Sequence, residues 1–239
     1  MVDVNFNHKE YVELYFGKKF FPGFFAWITP LTDGKARIGL CVKNGFSPIF
    51  HLDKALKHHP IISRKTRGGK TVKAFGGVIP IHGPISKTFG EGLLVVGDSA
   101  GHVKSTSGGG IYFGLKAADI AGKVAVKRLE DDKIEAAELS LYEEKWKKEF
   151  GRELRFTSFA RKLVDRFSDE ELDQFFKLVV EDSKLTKIIE QHGDTAYQSR
   201  LYFPFIFRLG KLTLQKPAFL KLAFRTFLEL ATHSSNWFL

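Results

Sequence analysis

The spacing of apolar residues changes character along the chain. The first third has short apolar and aromatic runs broken by turn residues, which predicts antiparallel strands. Tyr11 to Phe16 is one such run, and Phe24 to Ile28, closed by Pro30, is a second. Asp33-Gly34 separates the latter from Ala36 to Val42, so the two runs read as a hairpin. Leu52 to His58 reads as a short helix stopped by Pro60, and Thr71 to Ile79 as a further strand interrupted by Gly76-Gly77. Leu93-Leu94-Val95-Val96 has no alternation and predicts a strand buried on both faces, as in a parallel sheet. Beyond it the rhythm becomes helical, over Ile111 to Leu129 and again over Ile134 to Arg166. In the second stretch Leu139, Tyr142, Trp146, Phe150 and Leu154 form one apolar stripe. The remainder is mostly helical, with breaks expected near Ser168-Asp169, His192-Gly193-Asp194, Pro204 and Pro217. The fold class expected is α+β, divided into a sheet region over residues 1–75, a strand–loop–helix region over 76–130 and a helical region over 131–239.

Composition narrows the classes of function. The chain has 239 residues, 44% of them apolar and 27% charged, an ordinary globular balance. Its net charge of +10 favours anionic partners. A single cysteine, Cys41, excludes an intrachain disulfide and a cysteine-based metal cluster. The start of the chain lacks a signal-peptide pattern, and no apolar window is long enough for a transmembrane helix. These features predict a cytoplasmic location, with contact at the membrane periphery.

Chemistry concentrates between Gly92 and Gly114. Gly97-Asp98-Ser99-Ala100-Gly101 fits the G-x-S-x-G pattern of a serine hydrolase, with Asp165 or Asp194 and His192 or His233 as partners for Ser99. A nucleophile elbow needs a helix directly after the serine, whereas a loop rich in Ser, Thr and Gly follows here. The same segment also fits a flavin site. A strand ending in Gly97-Asp98 offers a carboxylate to sugar-like hydroxyls. Gly108-Gly109-Gly110 opens a helix whose free N–H groups and dipole suit negative charge. Spacing alone does not separate this reading from a tight glycine turn that lets a helix pack on a sheet.

The run from Gly97 to Tyr112 resembles the second flavin-binding motif of the geranylgeranyl reductase family, FAD-dependent members of the p-hydroxybenzoate-hydroxylase-like flavoproteins. Three other segments match in order. Phe25-x-Trp27-x-Thr29-Pro30 with Gly39-Leu40-Cys41 resembles the substrate motif, Gly76 to Pro80 the approach to the flavin strand, and Tyr142 to Leu154 the helix that follows. The resemblance covers about residues 10 to 160. It implies hydride transfer from reduced FAD to an isoprenoid double bond. It makes Gly97, Asp98, Gly108, Gly109 and Gly110 cofactor contacts and Phe25, Trp27, Pro30 and Gly39 substrate contacts, and names no catalytic residue. It also implies an antiparallel substrate-domain sheet, a partial FAD-binding α/β layer and a helical C-terminal region. Ser105 replaces the usual proline and Lys104 the common asparagine, while Phe25, Thr29 and Cys41 depart from the substrate motif. The G-x-G-x-x-G turn that opens the family's sequences is absent, so the chain reads as a C-terminal half. A separate N-terminal FAD-binding polypeptide is an expected partner.

Other residues carry weaker signals. Arg200 to Arg208 and Ala218 to Leu228 mix aromatic and basic residues, fitting either an interfacial membrane helix or a cap over an apolar tunnel. His102 and Cys41 read as a loop residue and a buried strand residue, and His51, His58 and His59 as surface residues without metal spacing. Positive charge is spread rather than clustered in a binding module, so nucleic acid is not an expected partner. A non-catalytic lipid-binding protein is the alternative function.

Overall fold

The computed structural model describes residues 10–32 and 34–215. Among them, residues 10–77 with 167–173 form one compact unit, and residues 78–166 with 174–215 form another. Helices and short antiparallel strands are mixed, and the class is α+β.

In the first unit, β1 (Glu13–Tyr15), β2 (Ala26–Pro30) and β3 (Ala36–Leu40) form an antiparallel sheet in that order. Glu13 pairs with Ile28, and Ala26, Trp27 and Ile28 pair with Leu40, Gly39 and Ile38. The two-residue period of a strand sends Ala26 and Ile28 to one face, where both are buried. Phe21, Ala36, Ala55 from α1 (Pro48–His58) and Ile62 from α2 (Ile62–Lys65) complete that core. Helix α1 starts four residues before the expected Leu52. The Ser47 side chain accepts the Phe50 N–H at 3.2 Å, and Pro48 takes the first helical position, where its missing N–H costs nothing.

Two expectations for this region fail. Residues 71–79 form no strand. No strand pairs with them among the described residues, and Val72, Phe75 and Val78 all face solvent. His51 and His59 are buried rather than superficial. His51 Nδ1 lies 2.8 Å from the Phe20 carbonyl oxygen. His59 Nδ1 accepts the N–H groups of Ile61 and Ile62, which caps the start of α2. Burial holds the His59 pKa below its ordinary value.

The second unit is built around the predicted stripe. Strands β4 (Phe89–Gly90) and β5 (Leu93–Leu94) form a small antiparallel hairpin, turned at Glu91-Gly92 with Gly92 at φ +60°. The expected doubly buried parallel strand is therefore replaced by a hairpin whose Leu93 is exposed. Its antiparallel neighbour is local, and no parallel strand pairs with it among the described residues. Helices α3 (Ile111–Glu130), α4 (Ala136–Trp146) and α5 (Arg152–Val164) follow, the last two joined by a π-turn at Lys147–Gly151. Leu139, Tyr142, Trp146, Phe150 and Leu154 are all buried against Phe113, Ala117 and Val124 of α3. Successive spacings of four drift about 40° per step on an ideal helix. The wider π-turn absorbs that drift and keeps Phe150 and Leu154 on the inward face.

Polar bonds fasten the hairpin to α4. The Thr88 N–H and hydroxyl donate to Glu143 Oε2 at 2.7 and 3.0 Å, and Trp146 Nε1–H donates to Thr88 Oγ1 at 2.8 Å. The Tyr142 hydroxyl donates to the Val95 carbonyl at 2.8 Å. Burial pushes the Glu143 carboxyl up, but bonds from Lys147 and Thr88 outweigh this and hold it below the usual carboxylate range.

Helices α6 (Asp169–Glu181), α7 (Ser183–His192) and α8 (Ser199–Gln215) end the described chain, and Leu178, Leu185, Leu209 and Leu212 form a small core among them. Asp182 caps α7 by accepting the N–H groups of Lys184 and Leu185, and it also receives Arg208 of α8. Pro204 does not break α8 as expected. It removes one N–H near the start of a helix that is held by packing further along. Pro217, His233 and the stretch from Ala218 to Leu228 lie outside the described residues.

Trp146→Ala is expected to cost about 3–5 kcal/mol through the cavity it leaves. Thr88→Val leaves the indole N–H unpaired and is expected to cost about 1–3 kcal/mol. Denaturant unfolding of the two variants checks both values.

Candidate functional site

The Gly97 to Gly110 segment depends on backbone conformations that side chains rarely tolerate. Gly97–Ala100 forms a 3-10 turn closed by Gly101 in the left-handed region. A Cβ on Gly101 would collide with the Gly83 carbonyl oxygen and stand 2.8 Å from Pro84 Cα, so glycine lets residues 83–85 pack there. The Ile85 N–H donates to the Ala100 carbonyl at 3.1 Å in the same contact. Gly108, at φ +71°, turns the loop back towards α3. A Cβ on Gly110 would stand 2.6 Å from Asp98 Oδ1 and 3.0 Å from Val103 Cγ2. Asp98 and Gly110 are twelve residues apart in sequence, yet the fold brings the carboxylate against the first residue before α3.

That helix start has no side-chain cap and no acidic residue in its first turn. Its leading N–H groups and positive dipole end are therefore available to an acceptor. Asp98 is exposed beside them. Gly97, Asp98, Gly108, Gly109 and Gly110, all expected at one site, lie on a single loop-to-helix element.

Two buried groups support the loop. His102 is fully buried, its ring 4.7 Å from Trp146 and 5.4 Å from Phe150 between centroids. Neither ring nitrogen has a hydrogen-bond partner among the described residues, and burial pushes the imidazole pKa down to about 4. It lies in the loop, as expected, but its side chain is part of the core. Lys104 is buried as well, with Cε 3.2 Å from where a Gly109 Cβ would lie and Nζ donating to the Thr195 carbonyl. Burial lowers its pKa, and the carboxylates of Glu153 and Asp194 act in the opposite direction. The Ser105 N–H reaches Thr157 Oγ1 at 3.3 Å, and the Thr106 hydroxyl reaches Gln198 Oε1 at 2.5 Å.

Ser99 does not sit in a nucleophile elbow. The helix such an elbow requires begins only at Ile111, and the neighbouring His102 accepts no hydrogen bond from it.

The residues of the expected substrate motif lie on the first unit's sheet. Phe25, Trp27 and Gly39 share the face opposite its core, together with Leu14 and Cys41. Phe25 lies 5.4 Å from Phe16 and 6.1 Å from Trp27 between ring centroids. Any Cβ on Gly39 would overlap the Trp27 ring, so Gly39 seats the indole. Pro30 is in register with Ala36 on the core side and does not join this face. Leu14 and Phe16 are exposed, which leaves the aromatic face open at one edge.

Helix α3 shows a further feature. Phe113, Ala117, Ile120, Ala121 and Val124 point into the core. Ile111, Leu115, Ala118, Gly122 and Val126 form an exposed stripe on the other side, with Ile111 83% and Leu115 68% exposed. Its spacing of three and four is visible in the sequence.

The chain is 37% identical over 174 residues to digeranylgeranylglycerophospholipid reductase 2 of Methanothermobacter thermautotrophicus, covering 70% of this chain and 43% of that protein. A protein of the same name from Methanopyrus kandleri is 35% identical, over 65% of this chain and 40% of its own. The chain belongs to the geranylgeranyl reductase family. It spans less than half the length of these curated relatives. No protein-family model matches it. A crystal structure of a geranylgeranyl bacteriochlorophyll reductase-like protein from Thermoplasma acidophilum shares the fold, with a TM-score of 0.72 at 20% identity, over 92% of this chain and 53% of that one. Within this family chain, the departures at Lys104 and Ser105 fall on buried positions under the glycine run.

His102 gives a pH signature. Its folded pKa is about 4, and it is ordinarily near 6.5 when the chain is unfolded. Between those values the unfolded chain binds more protons, so stability is complete above 6.5 and falls as the pH drops towards 4. His102→Leu is expected to reduce the loss of Tm over that interval by about 5 °C, with the remaining slope shared with His59. Thermal melts of both proteins from pH 7 to pH 4 check this.

Proposed function

We propose that this chain is part of an FAD-dependent oxidoreductase of the geranylgeranyl reductase type, reducing isoprenoid double bonds of a lipid or quinone precursor. The observation that carries the reading is the meeting of Asp98 with the uncapped start of α3, in a chain related to reductases named for an isoprenoid glycerophospholipid. The residues fit the cofactor. The exposed Asp98 carboxylate can accept bonds from hydroxyl groups, and a Cβ on Gly110 would fill the space beside it. FAD, when bound, supplies the hydride. The protein's share is to bind and orient. The first-turn N–H groups of α3 favour negative charge. The buried Lys104 ammonium beneath Gly109 adds a positive charge on the same side. The aromatic face of Phe25 and Trp27 suits an apolar polyprenyl chain.

The partner in this reading is the polypeptide that carries the dinucleotide-binding part of the site. One observation supports it: the exposed stripe of α3 from Ile111 to Val126 is broad and uncharged. Ala118 and Gly122 at its centre permit close approach of another layer. The substrate class places the work beside lipid, and a peripheral membrane contact belongs to the same reading.

The test is a visible spectrum. The chain is purified with and without the product of the adjacent upstream reading frame, in the presence of FAD. Flavin absorbance retained only with that product is the expected result. Asp98→Ala is expected to weaken retention at least about tenfold, and Ser99→Ala to leave it unchanged. Lipid retained with no flavin in any combination would instead identify a lipid-binding protein.

A further inference from the structure

An apolar tip at the start of α1 stands on the surface of the first unit. Residues 43 to 50 are exposed throughout. Among them Phe46, Ile49 and Phe50 are 49%, 81% and 60% exposed. Single exposed apolar side chains are common on protein surfaces, but three within five residues form a patch. None belongs to the unit's core, which is complete without them.

The tip is held in place from beneath. The Lys43 N–H donates to the Pro22 carbonyl at 2.8 Å, and the Phe46 N–H donates to the Lys43 carbonyl at 3.2 Å. Ser47 caps α1, and Pro48 fixes its first turn. The buried His51 stands between the two rings, edge-on to Phe46 at 5.7 Å and to Phe50 at 5.3 Å. Ordering these aromatic side chains for binding therefore carries little further entropic cost.

Charge decides between occupants. The first unit, residues 10–77 with 167–173, contains 12 Lys and Arg against 8 Asp and Glu, and four of those acids lie in the 167–173 segment. Between Glu13 and Asp53 the sole acidic residue is Asp33, and Asp53 is itself paired with Lys57 at 2.8 Å. Lys43 precedes the tip, and Lys54 follows one turn behind it, donating to the Lys19 carbonyl. Apolar side chains at the front with lysines behind them match the layering of an anionic bilayer surface, acyl boundary first and head groups next.

We propose that Phe46, Ile49 and Phe50 insert into an anionic lipid surface, with Lys43, Lys54 and Lys57 meeting the head groups. The choice of lipid as occupant rests on the lipid-substrate reading of the preceding subsection. The proposal places the contact on the α1 tip rather than on the C-terminal aromatic and basic segments.

The test is co-sedimentation of the whole chain with phosphatidylcholine vesicles, with and without phosphatidylglycerol. Binding that requires the anionic lipid and weakens at high salt is expected. The double variant Ile49→Asp, Phe50→Asp is expected to lower the partition coefficient at least about tenfold, and Lys43→Glu about fivefold on anionic vesicles only. An unchanged melting temperature shows that each variant folds. As a second probe, Ile49→Trp places an indole at the outermost position, and its emission is expected to shift to the blue on vesicles. Three results would overturn the proposal: no binding by the wild-type chain, undiminished binding by the double variant, or a double variant that loses only self-association. Flavin retention by the double variant, measured as above, is expected to match the wild type, so failure of the tip and failure of the reductase reading are told apart.

Discussion

The second unit depends on the surroundings of one side chain, the indole of Trp146. Its N–H donates to the Thr88 hydroxyl, which is bonded in turn to Glu143 one turn earlier on the same helix. Its ring lies against Phe150 and against His102. One buried group therefore ties the hairpin, the core of α3 and α4, and the loop that carries the candidate cofactor contacts. A buried indole needs a hydrogen-bond acceptor, and that need fixes where Thr88 and the hairpin must sit. The loop inherits its position from His102, which packs as an aromatic against Trp146 and Phe150.

On that base the glycine run has separable tasks. Gly101 allows segment 83–85 to approach, Gly108 supplies a left-handed turn, and Gly110 leaves room for the Asp98 carboxylate at the head of α3. The same residues explain both the packing and the proposed chemistry. The helix start, lined with N–H donors, rises from a loop anchored through Lys104, Ser105 and Thr106. The first unit makes a comparable division between the faces of its sheet. One face is closed by α1 and α2, and the other keeps Phe25 and Trp27 half-buried.

Much of this was legible in sequence. The stripe from Leu139 to Leu154 named the core of α4 and α5, and the triplet at Gly108 marked the start of α3. Alternation along β2 also separates Trp27 from Pro30, although motif matching grouped them. Less legible were the residues whose state depends on distant neighbours. His102, His51 and His59 look alike as polar loop or helix residues, and only the rings and carbonyls folded around them make them buried. Leu93 to Val96 looked like a doubly buried strand because a run of apolar residues does not say what covers it.

The sequence by itself determined the local elements and the family. Helical spacing, glycine turns and capping residues act over a few positions, and the motif around Asp98 survives as a short ordered string. Only the tertiary structure decided which of those residues meet. It set Asp98 against Gly110, put Lys104 beneath Gly109, seated Trp27 on Gly39 and left the stripe of α3 and the tip at Phe46 to Phe50 exposed. Burial and long-range contact are properties of the assembled chain, because each is fixed by atoms that lie far away in sequence.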